Sequence, residues 1–223
     1  MTTYVQLKAD AQQWIENDDV ERVANLDTIL ANAQRMVYRD MKIAAHNVTV
    51  TGSLVIGQAM YAVPADLLAL QSFGITVAGD QRVLDMRDQQ WLIEFWPDIT
   101  ETGVPKYMGI DDFSGTGASI VRNWRIAATP DDTYAYSMNY RAMPAILDDA
   151  SVPNTNWIFT YAYECILYAS IAEAASFVMD DRQQGLIQTY GGKYLSAKGL
   201  VMGDDDTVRT ATFRETAKPV KGK

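Results

Sequence analysis

TNWIFTYAYECILYASIAEAASFVM, residues Thr155 to Met179, is the longest strongly apolar stretch of the chain. Within it Ile158, Ala162, Cys165, Ala169, Ala172, Ser176 and Met179 recur at alternating steps of four and three, so they share one helix face. That stripe is small-sided and lets another helix approach closely, while Trp157, Tyr161, Tyr163 and Tyr168 put bulk and hydroxyls around the rest of the cylinder. Thr155 or Asn156, just after Pro153, supplies the N-cap. Glu164 and Glu173 interrupt the run, and a charged group at membrane depth costs at least about 2.5 kcal/mol. The spacing therefore predicts a buried central helix rather than a membrane span.

The helices that could pack on it lie at the start of the chain. Residues 3–16 read as a short helix with Val5, Leu7, Ala11, Trp14 and Ile15 on its apolar side. A second helix carries the stripe Leu26, Leu30, Ala33, Val37 and Met41, with Arg35, Arg39, Asp40 and Lys42 outside it, and is expected to end near His46 and Asn47. A bundle made from these pieces is closed by segments far apart in sequence.

Between them the period changes from helix to strand. Val48, Val50, Leu54 and Ile56 flank Thr51, Gly52 and Ser53, which reads as a hairpin. Leu67 to Val77 reads as a strand, Gly79 and Asp80 as a turn, and Gln81 to Leu84 as the return. Asp85 is placed to cap a short helix bearing Trp91, Leu92 and Phe95, closed by Pro97. Ile120 to Ile126 is a further strand. In Tyr134 to Tyr140 the residues Tyr134, Tyr136, Met138 and Tyr140 alternate with Ala135, Ser137 and Asn139, giving a strand with one aromatic face. The fold class expected is α+β: a helical bundle from residues 1–46 and 150–203, an inserted antiparallel β module at 47–149, and a flexible basic tail at 204–223.

Composition narrows the chemistry. With 223 residues, 48% of them hydrophobic, the chain can bury a sizeable core. No basic-plus-apolar leader opens it, so nothing marks it for secretion or the membrane. The net charge is −9, and it is unevenly spread: from Thr207 onward Arg209, Arg214, Lys218, Lys221 and Lys223 face only Glu215, leaving 14 basic and 27 acidic residues elsewhere. An acidic body repels phosphate and disfavours gripping a duplex. The single Cys165 rules out an internal disulfide or a multi-cysteine metal site, and mid-helix it reads as a small buried hydrophobe.

Catalytic signatures are thin. His46 is the only histidine, and no G-x-S-x-G elbow accompanies it. Asp111 to Gly117, DDFSGTG, offers paired acids and glycines but lacks the spacing of a dinucleotide fingerprint or a calcium loop, and reads as a β-turn. Asp85, Asp98, Glu101, Asp111 or Asp131 could pair in space as glycosidase carboxylates, but nothing in the sequence points there. The aromatic strand reads as one face of a sheet packing on its partner, or as a platform for sugars or bases. Asp204 to Asp206 reads as a solvated spacer or, less simply, a cation site. No catalytic, cofactor-binding or metal-binding residue is assigned.

Several segments taken in order resemble the head-tail adaptor, or head completion, proteins of tailed bacteriophages, in particular the podovirus-type adaptors. They are AQRMVYRD at Ala33 to Asp40, YAVPADLLAL at Tyr61 to Leu70, TGVPKYMGID at Thr102 to Asp111, ATPDDTYAYSMNYRAMPAILDD at Ala128 to Asp149, and NWIFTYAYECILYASIAEAASFVMDD at Asn156 to Asp181. The Gly191, Gly192 pair and the basic tail depart from the pattern.

The resemblance implies a structural virion protein without enzymatic activity, assembled in the host cytoplasm and located at the head-tail junction. It implies a ring, usually of twelve copies, beneath the portal, with tail or nozzle proteins on the other side and DNA passing through the channel without specific binding. It also implies a C-terminal segment that orders along the portal; in this chain Phe213 is expected to be its apolar anchor, with Arg209, Arg214 and Lys218 pairing with acidic portal side chains. Ordering twenty residues costs about 20–40 kcal/mol of backbone entropy, so such a tail needs an extensive partner surface. Other readings are a tail-tube, nozzle or baseplate component, a carbohydrate-binding tail protein, and a regulatory domain binding nucleic acid through its tail.

Overall fold

The computed structural model describes residues 2–15, 20–114, 121–177 and 181–216. In chain order it contains helices α1 (Tyr4–Ile15) and α2 (Val20–Asp40), a 3-10 turn (Ala44–His46), then strands β1 (Asn47–Leu54), β2 (Met60–Ala62), β3 (Leu67–Val77), β4 (Asp80–Val83) and β5 (Asp85–Met86). Helix α3 (Gln89–Phe95) follows, then β6 (Thr102–Gly103), β7 (Tyr107–Ser114), β8 (Val121–Ala127), β9 (Thr129–Pro130) and β10 (Tyr134–Ala142), and finally α4 (Trp157–Tyr161), α5 (Tyr163–Phe177) and α6 (Asp181–Thr216). They form two compact units, one of Met1–His46 with Pro144–Lys223, the other of Asn47–Met143.

The helical unit is built around α5. Asn156 caps α4, its side-chain oxygen accepting from the Ile158 N–H at 3.0 Å and the Phe159 N–H at 3.3 Å. At Ala162 the backbone leaves the helical region (φ −132°, ψ 35°), and this break separates α4 from α5. Helix α5 then buries Cys165, Ile166, Leu167, Ala169, Ser170, Ile171, Ala174 and Ala175. Burial so nearly all round makes it a central helix, packed by α1, α2 and α6. The small-sided stripe is buried through Ile158, Ala162, Cys165 and Ala169, but Ala172 is half-buried and Ser176 exposed. Steps of four and three repeat every 3.5 residues, and a straight helix drifts about 20° per heptad away from such a line.

Helix α2, with the residue just after it, presents the expected stripe: Leu26, Leu30, Ala33, Val37 and Met41 are all at most 2% exposed. Burying each of the larger ones contributes about 1.5–3 kcal/mol. Helix α1 is rotated from the expected face, because Tyr4, Leu7 and Ala11 point inward while Val5 and Trp14 are about half exposed. Tyr4 explains the turn: its hydroxyl donates to Asp27 on α2 at 2.9 Å. Lys8 then bridges Asp27 at 2.6 Å and Asp149 at 2.8 Å.

Helix α6 continues past Gly203 to Thr216, where the sequence reading places the start of a flexible tail. Extending an existing helix avoids the nucleation cost, and no proline interrupts before Pro219. Residues 217–223 lie outside the described residues.

The β unit contains a sheet of order β1-β10-β3-β4, a second of order β2-β8-β7-β5, and a short β6-β9 pair. The longer strands pair antiparallel, while the two-residue contacts β5–β7 and β6–β9 run parallel. Ala78 (φ 51°) and Gly79 (φ 91°) form the two-residue turn between β3 and β4, both left-handed as a type I′ hairpin requires.

Two local expectations are corrected. Residues 47–54 form one continuous strand, not a hairpin: Gly52 lies opposite Tyr136, and a Cβ on it would stand 2.6 Å from the tyrosine ring. That glycine admits a neighbouring ring instead of a turn. Helix α3 is capped by Asp88, whose carboxylate accepts from the Trp91 N–H at 2.7 Å, while Asp85 lies in β5. The core joins the two sheets through Phe73, Ile75, Met108, Trp124, Ile126, Met138 and Tyr140, with Phe73 stacked on Tyr136 at 5.0 Å and edge-on to Trp124 at 5.2 Å.

Candidate protein-interaction site

Three of the four residues expected to contact a partner, Arg209, Phe213 and Arg214, fall on α6, so the anchoring of that helix bears on how they are presented. Tyr190 and Tyr194 are buried one turn apart on its inner face. Asp40, at the end of α2, accepts from the Tyr194 hydroxyl at 3.0 Å and from Lys198 Nζ at 2.9 Å. The Lys198 ammonium, with help from the tyrosine hydroxyl, holds the Asp40 carboxyl below its ordinary range. Burial, reinforced by Asp40, pushes the Tyr194 phenol above its own. Lys193 lies over the rings of Tyr190 at 4.7 Å and Tyr168 at 5.6 Å, adding a cation-π clamp between α6 and α5. Leu195 and Leu200 face outward, Leu200 at 73% exposure.

Beyond these anchors the backbone of 204–216 is helical, so Arg209, Phe213 and Arg214 fall within little more than one turn of each other. Lys218 lies outside the described residues, as do Gly115, Thr116 and Gly117 of the glycine-rich string and Ile120, where a strand is expected to begin. Asp111 to Ser114, read from sequence as a turn, are the end of β7 paired with β8.

The other sequence candidates are placed as follows. His46 is buried at the end of the 3-10 turn, edge-on to Tyr38 at 6.4 Å. Cys165 is buried on α5, and burial pushes its thiol up to about 11. Asp85 pairs with Arg87, Asp98 accepts from the Thr100 amide and hydroxyl, and Asp131 accepts from the Tyr134 hydroxyl at 2.6 Å. Among the described residues no group of three or more His, Cys, Asp or Glu could hold a metal ion, and no helix is long and apolar enough to cross a membrane. Tyr134, Met138 and Tyr140 are buried and Tyr136 packs beneath them, so the alternating face of β10 is core and offers no platform for a sugar. A hollow of about 340 Å³ lined by Val63, Pro64, Ala65, Leu67, Val121 and Arg122 carries one cation and neither an acid nor a nucleophile.

An exposed ledge on α3 escaped the sequence reading. Trp91 stacks on Phe95 at 4.6 Å and leans on Tyr107 at 4.9 Å, with the Arg87 guanidinium 5.2 Å above the Trp91 ring. Phe95 is 59% exposed, and Met86, Ile93 and Ile99 are each about half exposed. The signal was the run WLIEFW, too apolar around its circumference for a short helix that buries only Leu92.

Both features, an anchored helix that runs on to Thr216 and an apolar ledge, suit contact with other proteins. No curated protein matches the chain. The family of SU10 adaptor proteins matches it over residues 2–216. That match covers nearly the whole chain, which is therefore a bacteriophage head-tail adaptor, a structural component of the virion, and belongs to the SU10 adaptor protein family.

Proposed function

We propose that this adaptor assembles as a closed ring of twelve copies between the portal and the tail or nozzle proteins, leaving a channel for DNA. The observation that carries the reading is the family match over nearly the whole chain. The ring is added to the filled head at the close of genome packaging, in the host cytoplasm. Many copies of a chain of net charge −9 give a channel that DNA crosses without sticking.

In this reading the end of α6 reaches the portal, with Phe213 as its apolar anchor and Arg209, Arg214 and Lys218 meeting acidic side chains. A segment already helical to Thr216 has less backbone entropy to lose on docking than an irregular one. At about 1.5 Å per residue, its 36 residues span roughly 54 Å.

Native mass of the purified chain, alone and mixed with the portal ring of the same phage, tests the proposal. Stoichiometric addition to the portal supports it, and removal of residues 204–223 should abolish that addition. A chain that ignores the portal but forms its own ring or trimer points instead to a tail-tube, nozzle or baseplate component. If the truncated chain binds the portal as well as the full chain, the role given to the four C-terminal residues is wrong.

A further inference from the structure

Every open sheet ends in strands whose outer N–H and C=O groups have no neighbour to bond. The two larger sheets of the β unit end in β1, β4, β2 and β5. Strands β2 and β5 are three and two residues long, too short for a stable ladder. Strand β1 differs: its eight residues, NVTVTGSL, contain no charge and no proline, and its register with β10 is unbroken from Asn47↔Arg141 to Leu54↔Tyr134. Such an edge carries none of the devices by which proteins discourage strand addition. Val48, Thr49, Thr51 and Ser53 are exposed along it. At the far side of the same sheet all four residues of β4 are exposed, Val83 at 69%. Among the described residues no backbone bond reaches the outer side of either strand.

We propose that β1 takes as its neighbour β4 of a second copy of this chain, so that the four-stranded sheets of successive copies join edge to edge. Direction favours this partner. The strands β1, β10, β3 and β4 alternate antiparallel, so a sheet repeated head to tail sets β4 of the next copy antiparallel to β1, the more stable ladder. Charge favours it too. In a chain of net −9, β1 has no charged residue and β4 balances Asp80 against Arg82, so acidic copies can meet at these edges without repulsion. Pairing unlike edges is heterologous, the kind of contact that builds a ring when the rotation between copies closes, whereas β1 against β1 makes a pair. The proposal rests on the ring reading above and names its lateral contact.

Cysteine cross-linking tests it, since Cys165 is buried. Thr51→Cys and Gln81→Cys, which lie on the same face of the sheet, are combined in the full chain, with Thr49→Cys and Ser53→Cys as alternatives that step the register by two residues. Each variant is oxidised alone and on the portal ring. The double variant should give a ladder of disulfide-linked multimers on a denaturing gel, and each single variant none. A covalent dimer from T51C alone would establish β1 against β1 and overturn the proposal. So would an assembly that forms but cross-links in none of the three registers, which leaves the ring reading standing. A chain that self-associates in neither setting brings down both.

Discussion

Gln34 behaves as a piece of backbone. Buried on α2, its amide donates Nε2–H to the Leu147 carbonyl at 2.9 Å and accepts the Leu147 N–H at 2.8 Å, as a strand neighbour would. The Tyr38 hydroxyl donates to the same oxygen at 3.1 Å and receives the Asn156 amide at 2.7 Å. Gln34→Ala leaves both polar groups of a buried peptide unpaired, so it should destabilise the protein by about 2–4 kcal/mol in urea titration. Gln34→Glu should fare no better, because a carboxylate sets an acceptor against the Leu147 carbonyl. Nothing in sequence spacing pairs residues 34 and 147, since periodicity reports which face is buried and not which polar atoms meet there. Gly52 is the opposite case. Its conformational freedom was legible and suggested a turn, but the reason for the glycine is the ring of Tyr136, a neighbour supplied only by the folded sheet.

At the scale of elements the helical stripes were the most legible part, because burial of one face at a period near 3.6 leaves its mark on composition. The stripe of α2 is an example, since the sequence placed all five of its residues and the fold buries every one. The extent of α6 was not legible, as Gly185, Gly191, Gly192, Gly199 and Gly203 all argue against helix. A Cβ at any of them would meet nothing within 4 Å, so packing does not demand these glycines. Each costs about 1 kcal/mol relative to alanine, offset by the anchors at Tyr190, Tyr194 and Lys198. Gly191→Ala and Gly192→Ala should therefore each raise stability by about 0.5–1 kcal/mol, measured as a higher urea midpoint with unchanged slope. The residues proposed to meet the portal stand out in the sequence only as a cluster of charge around one phenylalanine, and the α3 ledge only as the apolar run WLIEFW, because which side of a short apolar helix stays uncovered depends on the sheet beneath it.

For the whole molecule, pH acts through the pairs that tie the helices together. Asp27 and Asp40 are held below the ordinary carboxylate range, first by Lys8 and Lys198 respectively. Their contribution is present above an unfolded value near 3.9 and is lost as pH falls through the lower folded value. Tyr4, Tyr163 and Tyr194 are raised, chiefly by burial, so their contribution is present below about pH 10 and is lost above it. Thermal melts followed by helical circular dichroism should show a plateau from about pH 5 to 9 and a fall on either side. A midpoint that keeps rising below pH 4 would contradict the carboxylate assignment. The β unit has its own core, and residues 47–143 expressed alone should melt cooperatively. Asn47 and Arg141 stand directly opposite each other in the ladder, so the two ends of the β unit lie side by side. Closing the chain there costs little more entropy than a short loop, and lengthening such a loop costs only logarithmically. Genetic exchange could thus shorten, replace or enlarge everything between those two residues in a single step, leaving the helices to be inherited unchanged while the strands adapt to a new neighbour.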